Sequence, residues 1–377
     1  MMLNLMRFNF LIPLFFFLCI FYWFPLVNTE ILSLIKFFLL IFLGFYSLVL
    51  VPKINSRILI FELFIIFFSI LYELFSNGQG DFLLNVLVFI FIYEVGCRSN
   101  IKEITSFYLI STSMIFSWVF LSFFFVEFDV KNNLFLDYSF RDINLSSTGF
   151  SIARTSWGIS VVLLFLFLFQ YNSSRFLKSI LMLSAILCVI TTNSRTALMC
   201  FFMIILTFIY IYINKPTIKF LLILLSCFLF VVVYYFLGEF LRITGVDDLS
   251  NGRLESYFFV DKFIHHNIFL GWYKYGGYDL QNYGYSYSQF HNAWVHLFLE
   301  YGVLGFLIVI SWFLYCLFNL NIRENNDKIC LFLIIICGGF TTIFEPEVIF
   351  SNGYHLLIFW FTLGVLSSRN FYIKDVL

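Results

Sequence analysis

Charged residues are scarce in this chain. Asp, Glu, Lys and Arg together make up 12% of its 377 residues, whereas 62% are hydrophobic. Soluble domains carry about 25% charged residues, so the chain has too few to cover a water-facing surface. The formal net charge of zero also argues against a nucleic-acid partner, which would favour a basic patch.

Long apolar runs take the place of the missing charge. A run of roughly 18 or more apolar residues is long enough to cross the hydrocarbon core of a membrane as a helix. The predicted fold class is therefore all-α, a polytopic membrane protein that forms a single integral membrane domain over residues 1–377. About twelve spans are predicted, over residues 8–27, 31–51, 58–76, 82–97, 104–126, 153–171, 176–193, 195–213, 217–237, 291–320, 329–344 and 351–367.

Several motifs are missing as well. The eight cysteines all lie in apolar runs or at their ends and no CxxC occurs, so no disulfide framework is expected in the polar loops. The histidines His265, His266, His291 and His296 lack a recognised metal-ligand spacing, and no Gly-rich phosphate loop is present. We therefore expect neither a metal nor another cofactor. The first apolar run lacks a small-residue cleavage site, which predicts an uncleaved span.

The basic residues predict how the chain is oriented. Lys and Arg concentrate in short loops on the cytoplasmic side of membrane proteins, and the opposite loops, near Asn28, Ser76 and Glu345, hold almost none here. This bias places both termini in the cytoplasm. The basic residues on the predicted cytoplasmic side are Arg7, Lys53, Arg57, Arg98, Lys102, Arg175, Lys178, Lys215, Lys219, Arg323, Lys328, Arg369 and Lys374.

Two segments on the predicted outer side are too long to be turns. They are a first periplasmic loop, 127–151, and a large periplasmic loop, 238–290. Long loops in compact proteins are usually functional or disordered. Within the large loop, an amphipathic stretch at 254–264 is suited to lie as a helix at the membrane interface, and a Gly/Tyr-rich segment follows it at 271–290.

Three of the arginines on the predicted outer side stand out: Arg154, Arg195 and Arg253. Charge at membrane depth is costly and tends to mark a functional site, and the guanidinium group is a rigid fork of donors that suits phosphate. Together the three are candidates for binding a diphosphate. The alternative is snorkelling, in which the stem lies in lipid and the head reaches water, and this alternative is stronger for Arg242.

His291 lies where the large outer loop meets the tenth span. Neutral imidazole accepts a proton near pH 7, so His291 is a candidate general base, with helix capping or loop packing as the alternative. The aromatic segment before it offers flat rings beside amides and hydroxyls, which suits sugars; an ordered lid or an interfacial aromatic belt is the alternative. The candidate glycan- or acceptor-binding residues are Trp272, Tyr275, Tyr285, Asn292 and Glu300.

Four short motifs share this side of the membrane. They read Ser194-Arg195-Thr196-Ala197, Gly252-Arg253, His291-Asn292 and Glu300-Tyr301-Gly302-Val303-Leu304-Gly305. Their order and spacing resemble the O-antigen ligase and polymerase superfamily of bacterial polysaccharide assembly. Arg154-Thr155-Ser156-Trp157 is also similar to an element of the polysaccharide polymerases in that group, although Ser156 stands where that element has Gly. The stretch 266–273 departs from the Pro and Gly-x-Gly that often follow the amphipathic helix.

The resemblance implies a GT-C-like fold, with short helices in the large periplasmic loop, and a metal-independent, inverting glycosyl transfer at the periplasmic face. The implied donor is an oligosaccharide linked to undecaprenyl diphosphate and held in membrane lipid, and a chain-length regulator is a further implied partner. Arg154, Arg195 and Arg253 would stabilise the departing diphosphate. His291 would take the proton of the acceptor hydroxyl.

Two members of this superfamily do different jobs. A polymerase joins lipid-linked repeat units of O-antigen, capsule or exopolysaccharide, whereas a ligase transfers the finished glycan to the lipid A core. The stretch 154–157 favours a polymerase, and a ligase is the alternative. A transporter or flippase for lipid-linked oligosaccharides is the alternative from a different class. It would need polar residues at mid-membrane with access from both faces, whereas the candidates here gather on one face.

Overall fold

The structure is a computed structural model. It describes residues 34–35, 38–39, 41–42, 56–76, 81–98, 162, 176, 179, 183, 200–206, 213, 215–221, 224–225, 260, 268–275, 280–283, 290, 292–320, 342 and 354–372. All regular secondary structure in these ranges is helical, as the predicted fold class requires.

Four long helices follow the apolar runs of the sequence. They are α1, Ser56–Ser76; α2, Asp81–Arg98; α3, Ala293–Phe318; and α4, Tyr354–Tyr372. Two short 3-10 helices, Tyr273–Tyr275 and Leu280–Tyr283, lie in the segment before α3.

Predicted spans coincide with all four long helices. Helices α1, α2 and α4 correspond to the predicted spans 58–76, 82–97 and 351–367. Helix α3 lies within the span predicted at 291–320. The other eight predicted spans lie wholly or largely outside the described residues.

Two buried hydroxyls inside these apolar helices are satisfied locally. The hydroxyl of Ser69 donates to the carbonyl of Ile65 at 2.8 Å, and that of Ser367 donates to Leu363 at 2.9 Å. Each bond reaches back one helical turn, which pairs a buried hydroxyl without a partner from another helix.

The four helices pack side by side, with α1 and α4 each in contact with both α2 and α3. Helix α1 runs antiparallel to the later part of α3. Near the start of α1, the ring of Phe61 stacks 4.2 Å from that of Tyr315. Near its end, the ring of Tyr72 lies 6.3 Å from that of Tyr301.

Helix α2 runs parallel to the later part of α3. The ring of Phe82, at the start of α2, lies 4.9 Å from that of Tyr301. Further along, the ring of Tyr93 meets that of Trp312 edge-on at 5.3 Å. Both Tyr93 and Trp312 are almost fully buried, so this contact lies in the core of the bundle.

Helix α4 runs parallel to α2 and packs closely against it. The rings of Phe89 and Trp360 lie 5.4 Å apart, and one to two turns later Gly96 and Gly364 face each other. A Cβ atom on either glycine would collide with the backbone of the opposite helix. The two backbones can therefore approach this closely only because both residues lack a side chain.

Helix α3 is broken at Gly302, whose φ is 65° and ψ is −169°. A helix rises about 1.5 Å per residue, so an unbroken helix would hold Trp294 and Phe313 roughly 28 Å apart. Their ring centroids are only 5.9 Å apart. Residues 293–301 therefore form a short helix that runs back alongside 303–318. We call residues 293–301 the fold-back segment.

Two further ring contacts bridge the break. Phe306 lies 6.0 Å from Phe298 and 6.3 Å from Trp294, as expected for two helices that diverge from a common apex at Gly302. Among the described residues, α3 is the helix long and apolar enough, by length and composition, to cross a membrane. The span predicted over 291–320 thus has the length and composition of a membrane-crossing helix, but it contains a reversal at Gly302 that a count of apolar residues cannot detect.

Candidate functional site

Asn292 begins the fold-back segment as its N-cap. Its backbone is extended, with φ −147° and ψ 113°, and its Oδ1 accepts hydrogen bonds from the N–H groups of Trp294 at 3.0 Å and Val295 at 3.1 Å. These bonds satisfy two of the backbone donors that a helix N-terminus leaves free. Asn292 lies about 15 Å along the segment from Gly302.

The start of the segment has a second anchor. The indole Nε1 of Trp294 donates to the hydroxyl of Thr342 at 3.0 Å, and the ring of Trp294 packs against Phe306 and Phe313 of the same helix. The start of the fold-back segment is therefore held both by the later part of α3 and by residue 342.

The apex of α3 bonds to the loop that precedes it. In an unbroken helix the N–H groups of Val303 and Leu304 would bond to carbonyls four residues back. Here Val303 donates to the carbonyl of Ile268 at 2.9 Å, and Leu304 donates to that of Phe269 at 3.1 Å. The loop thus supplies the acceptors that the broken helix cannot.

Gly271 and Gly302 face each other at this point, with φ values of 68° and 65°. A Cβ atom on Gly271 would collide with the backbone of Glu300 and Gly302, and one on Gly302 would collide with the backbone of Phe269 and Gly271. A third hydrogen bond, from the N–H of Trp272 to the carbonyl of Leu299 at 2.9 Å, closes the contact. We call these two glycines and the three backbone hydrogen bonds around them the glycine junction.

Tyr72 ties the glycine junction to α1. Its hydroxyl donates to the carbonyl of Leu270 at 2.9 Å, and its ring packs 4.6 Å from that of Phe82. Tyr273 and Tyr301, with rings 5.1 Å apart, complete an aromatic cluster. The junction is therefore fixed to the end of α1 and the start of α2.

Carboxylates lie beside this cluster. An oxygen of Glu73 accepts from the N–H of Leu83 at 3.0 Å, which joins α1 to the first turn of α2. The Tyr273 hydroxyl is buried and has no hydrogen-bond partner among the described residues. Burial raises the pKa of Tyr273 and the carboxylates of Glu73 and Asp81 raise it further, while the backbone N–H groups of Phe82 and Asp81 lower it, so the net shift is upward.

The fold-back segment also contacts the large loop through an apolar cluster. Leu299 is buried there with Leu280 and Phe290, two residues that precede α3. Because these three residues are fully or almost fully buried, the second half of the loop and the fold-back segment share one small core. The side chains packed around this core are those of Val260, Trp272, Val295 and Phe298.

Comparison with known proteins gives a match in this part of the chain. Residues 180–310 match the family model described as O-antigen ligase. No curated protein matched the chain. The resemblance to the O-antigen polymerase and ligase superfamily is thereby confirmed over 180–310, and members of this family are glycosyltransferase-like enzymes that act on lipid-linked glycans.

The matched stretch, 180–310, contains the glycine junction, the apolar cluster and the fold-back segment. The matched family is membrane-associated, and α3, counted over all 26 residues, has the length and composition of a membrane-crossing helix although it reverses at Gly302. The predicted class of helical membrane protein is confirmed at this coarse level. The number of spans, the side of the membrane and the position of the termini stay predictions.

Several predicted binding residues lie in the described part of the matched stretch 180–310. Asn292 is the N-cap, Trp272 is half-buried between the glycine junction and the apolar cluster, and Glu300 is half-buried two residues before Gly302. Tyr275 ends the first 3-10 helix. The glycine junction thus brings Trp272 and Glu300 to one place, and sugar binding by these residues stays a prediction.

The other predicted site residues lie outside the described residues, so their roles stay predictions. They are the candidate base His291, the candidate diphosphate-binding residues Arg154, Arg195 and Arg253, and the candidate glycan-binding residue Tyr285. His291 is flanked in the chain by two described residues, the buried Phe290 and the N-cap Asn292. Within the described ranges, no group of three or more His, Cys, Asp or Glu side chains is arranged to hold a metal ion.

The contributions of Tyr72 and Gly271 and the reversal at Gly302 were not predicted from the sequence. A glycine inside an apolar helix costs about 1 kcal/mol relative to alanine, so Gly302 was a detectable sign of a packing or functional requirement. No local pattern pairs Gly302 with Gly271 or with Tyr72, because these contacts join segments far apart in the chain.

Proposed function

We propose that this protein is a membrane glycosyltransferase that polymerises repeat units of O-antigen, capsule or exopolysaccharide at the periplasmic face. Its donor is a glycan linked to undecaprenyl diphosphate. The observation that most supports this proposal is the O-antigen ligase family match over 180–310. That segment contains the Arg195, Gly252-Arg253 and His291-Asn292 motifs in one stretch of chain.

The proposed reaction is a single displacement at the anomeric carbon of the donor. The acceptor hydroxyl forms the new glycosidic bond as the bond to the diphosphate breaks, and the configuration inverts. His291 takes the proton that the hydroxyl loses. The departing diphosphate gains negative charge, which Arg195, Arg253 and Arg154 stabilise through fixed cationic donors. No metal and no other cofactor takes part.

The test replaces one proposed residue at a time in the native host. We expect Arg195→Ala and His291→Ala each to abolish polymer, seen as loss of the ladder on a polysaccharide gel, with normal protein levels on an immunoblot. Arg195→Lys keeps the charge but loses the bidentate fork, so it should retain only weak activity. Arg242→Ala is the matched control and should leave the ladder intact. Polymer of wild-type length in the His291→Ala strain would remove this residue from the base role.

A ligase is the second candidate, because the matching family model is described as O-antigen ligase. Deletion of the gene separates the two functions. Loss of a polymerase leaves single repeat units on the lipid A core, whereas loss of a ligase leaves long chains on the carrier lipid. The polymerase proposal predicts the first result, and the second would replace it with the ligase.

A further inference from the structure

The fold-back segment joins the rest of α3 at a single residue, Gly302. Its φ of 65° and ψ of −169° lie in a backbone region that essentially only glycine occupies. Asn, which tolerates the ordinary left-handed conformation, fits this region no better than Ala does. Any side chain here therefore works against the reversal of the chain.

Space at the apex gives a second, independent reason for glycine. A Cβ atom on Gly302 would collide with the backbone of Phe269 and Gly271. Those atoms belong to the loop held by the three hydrogen bonds of the glycine junction and by Tyr72. Because the obstacle is tethered backbone, a side chain at position 302 must move either the loop or the fold-back segment.

Movement at the apex is magnified at the far end of the segment. Asn292 lies about 15 Å from Gly302, so a rotation of a few degrees about the apex shifts the start of the segment by about 1 Å. A misplacement of that size can cost an enzyme about 100-fold in rate. The residue next to Asn292 in the chain is His291, the base in the proposed function.

We propose that Gly271 and Gly302 are positioning residues that set where the His291-Asn292 pair meets the substrate. The inference rests on the proposed function, because it assigns the pair a part in the reaction. Neither glycine touches the substrate. Both act through the direction of the fold-back segment, whose start is held separately by the bond from Trp294 to Thr342.

The geometric part of the proposal is tested by a distance that does not depend on activity. Spin labels are attached to cysteines at Val295 and Leu314 in a background without native cysteines. In the folded-back arrangement these positions lie ~12 Å apart, given a helix spacing of 8–10 Å; in a straight helix they would lie ~28 Å apart. We expect the short distance in the parent protein and a longer or broadened one in Gly302→Ala. A long distance in the parent would overturn the proposal.

The functional part is tested by the kinetics of the purified full-length protein with an undecaprenyl-diphosphate-linked repeat unit. Gly302→Ala should lower kcat on the order of 100-fold at unchanged KM, since correct positioning acts on the transition state rather than on binding. Gly96→Ala, which crowds α2 against α4 instead, is the matched control. It should lower the yield of folded protein but leave kcat per folded molecule unchanged.

A milder variant covers the case in which Gly302→Ala does not fold. Thr342→Val removes the hydroxyl that accepts from Trp294 while keeping the shape of the side chain, and it should lower kcat by a smaller factor at unchanged KM. Wild-type kcat in Gly302→Ala, or in Thr342→Val if Gly302→Ala does not fold, would overturn the positioning role. If the parent protein shows the short distance but transfers no sugar, the proposed function fails, and with it the positioning role, while the folded-back geometry stands.

Discussion

At the scale of single residues, Asn292 caps the N-terminus of a helix, a structural role that was not predicted from the sequence. Its side chain accepts from two N–H groups of the fold-back segment. We expect Asn292→Ala to destabilise the protein by about 1 kcal/mol, seen as a lower melting temperature of the purified protein in detergent. Asn292→Asp should melt as the parent does, because Asp caps helices equally well. An unchanged melting temperature in Asn292→Ala would contradict the capping role.

Removing the hydroxyl of Tyr72 and removing that of Tyr273 are expected to have different effects on stability. The Tyr72 hydroxyl bonds to Leu270 at 2.9 Å, whereas the buried Tyr273 hydroxyl has no partner in the described part of the chain. Tyr72→Phe should therefore cost about 1 kcal/mol, and Tyr273→Phe should cost nothing. Thermal unfolding of the two variants side by side checks this. Equal melting temperatures would show that the bond to Leu270 adds no stability.

At the scale of helices, the contact between α2 and α4 depends on two small residues. Gly364 faces α2 so closely that a Cβ atom would meet the backbone of Tyr93. Gly364→Ala should destabilise the bundle by about 1–3 kcal/mol, the usual cost of overpacking. The control is Leu74→Ala on α1, where the side chain is 69% exposed and the effect should be small. A Gly364→Ala protein as stable as the Leu74→Ala protein would mean that the two helices can separate without loss.

Helix α3 shows the limit of reading elements from composition. From Val303 to Phe318 its apolar run is interrupted only by Gly305 and Ser311, and before Gly302 only by His296 and Glu300. The hydropathy of a run is the same in whichever direction the helix points. The reversal comes from the backbone conformation of Gly302 and from acceptors supplied by the loop at 268–272. Both are properties of the assembled protein rather than of the run.

At the scale of the whole molecule, the helix directions agree with the predicted topology. The charge bias requires α2, the later part of α3 and α4 to run one way and α1 the other, and the ring contacts show these relative directions. The relative directions of the helices do not show which end of the bundle faces the cytoplasm. That question is answered by a reagent that reaches the protein from only one side of the membrane.

The reaction of introduced cysteines with a membrane-impermeant reagent shows which end of the bundle lies on which side of the membrane. Gln281 and Lys215 are both exposed, and the topology places Gln281 outside and Lys215 inside. In cells whose native cysteines are replaced, a membrane-impermeant maleimide should label Gln281→Cys directly. It should label Lys215→Cys only after the membrane is permeabilised. The opposite pattern would invert the predicted orientation.

Much of the fold could be predicted because it depends on local properties of the chain. A scarcity of charge and a run of apolar residues act within one segment, so composition alone predicted the helical class and the positions of the four long helices, but not the reversal in α3. The resemblance to the O-antigen ligase and polymerase superfamily was also confirmed, by the family match over 180–310. The charge in the short loops was enough to predict the relative directions of α1, α2 and α4.

The arrangement around α3 was decided only by the tertiary structure. Gly302 can reverse the chain because Gly271 lies opposite it without a side chain and the loop offers carbonyls to Val303 and Leu304. Tyr72, about two hundred residues earlier, holds that loop in place. These partners are distant in sequence and meet only when the bundle packs, so no local pattern could pair them. The sequence by itself determined where the long helices lie and the family resemblance over 180–310. Packing determined that the segment beside His291 folds back into the bundle.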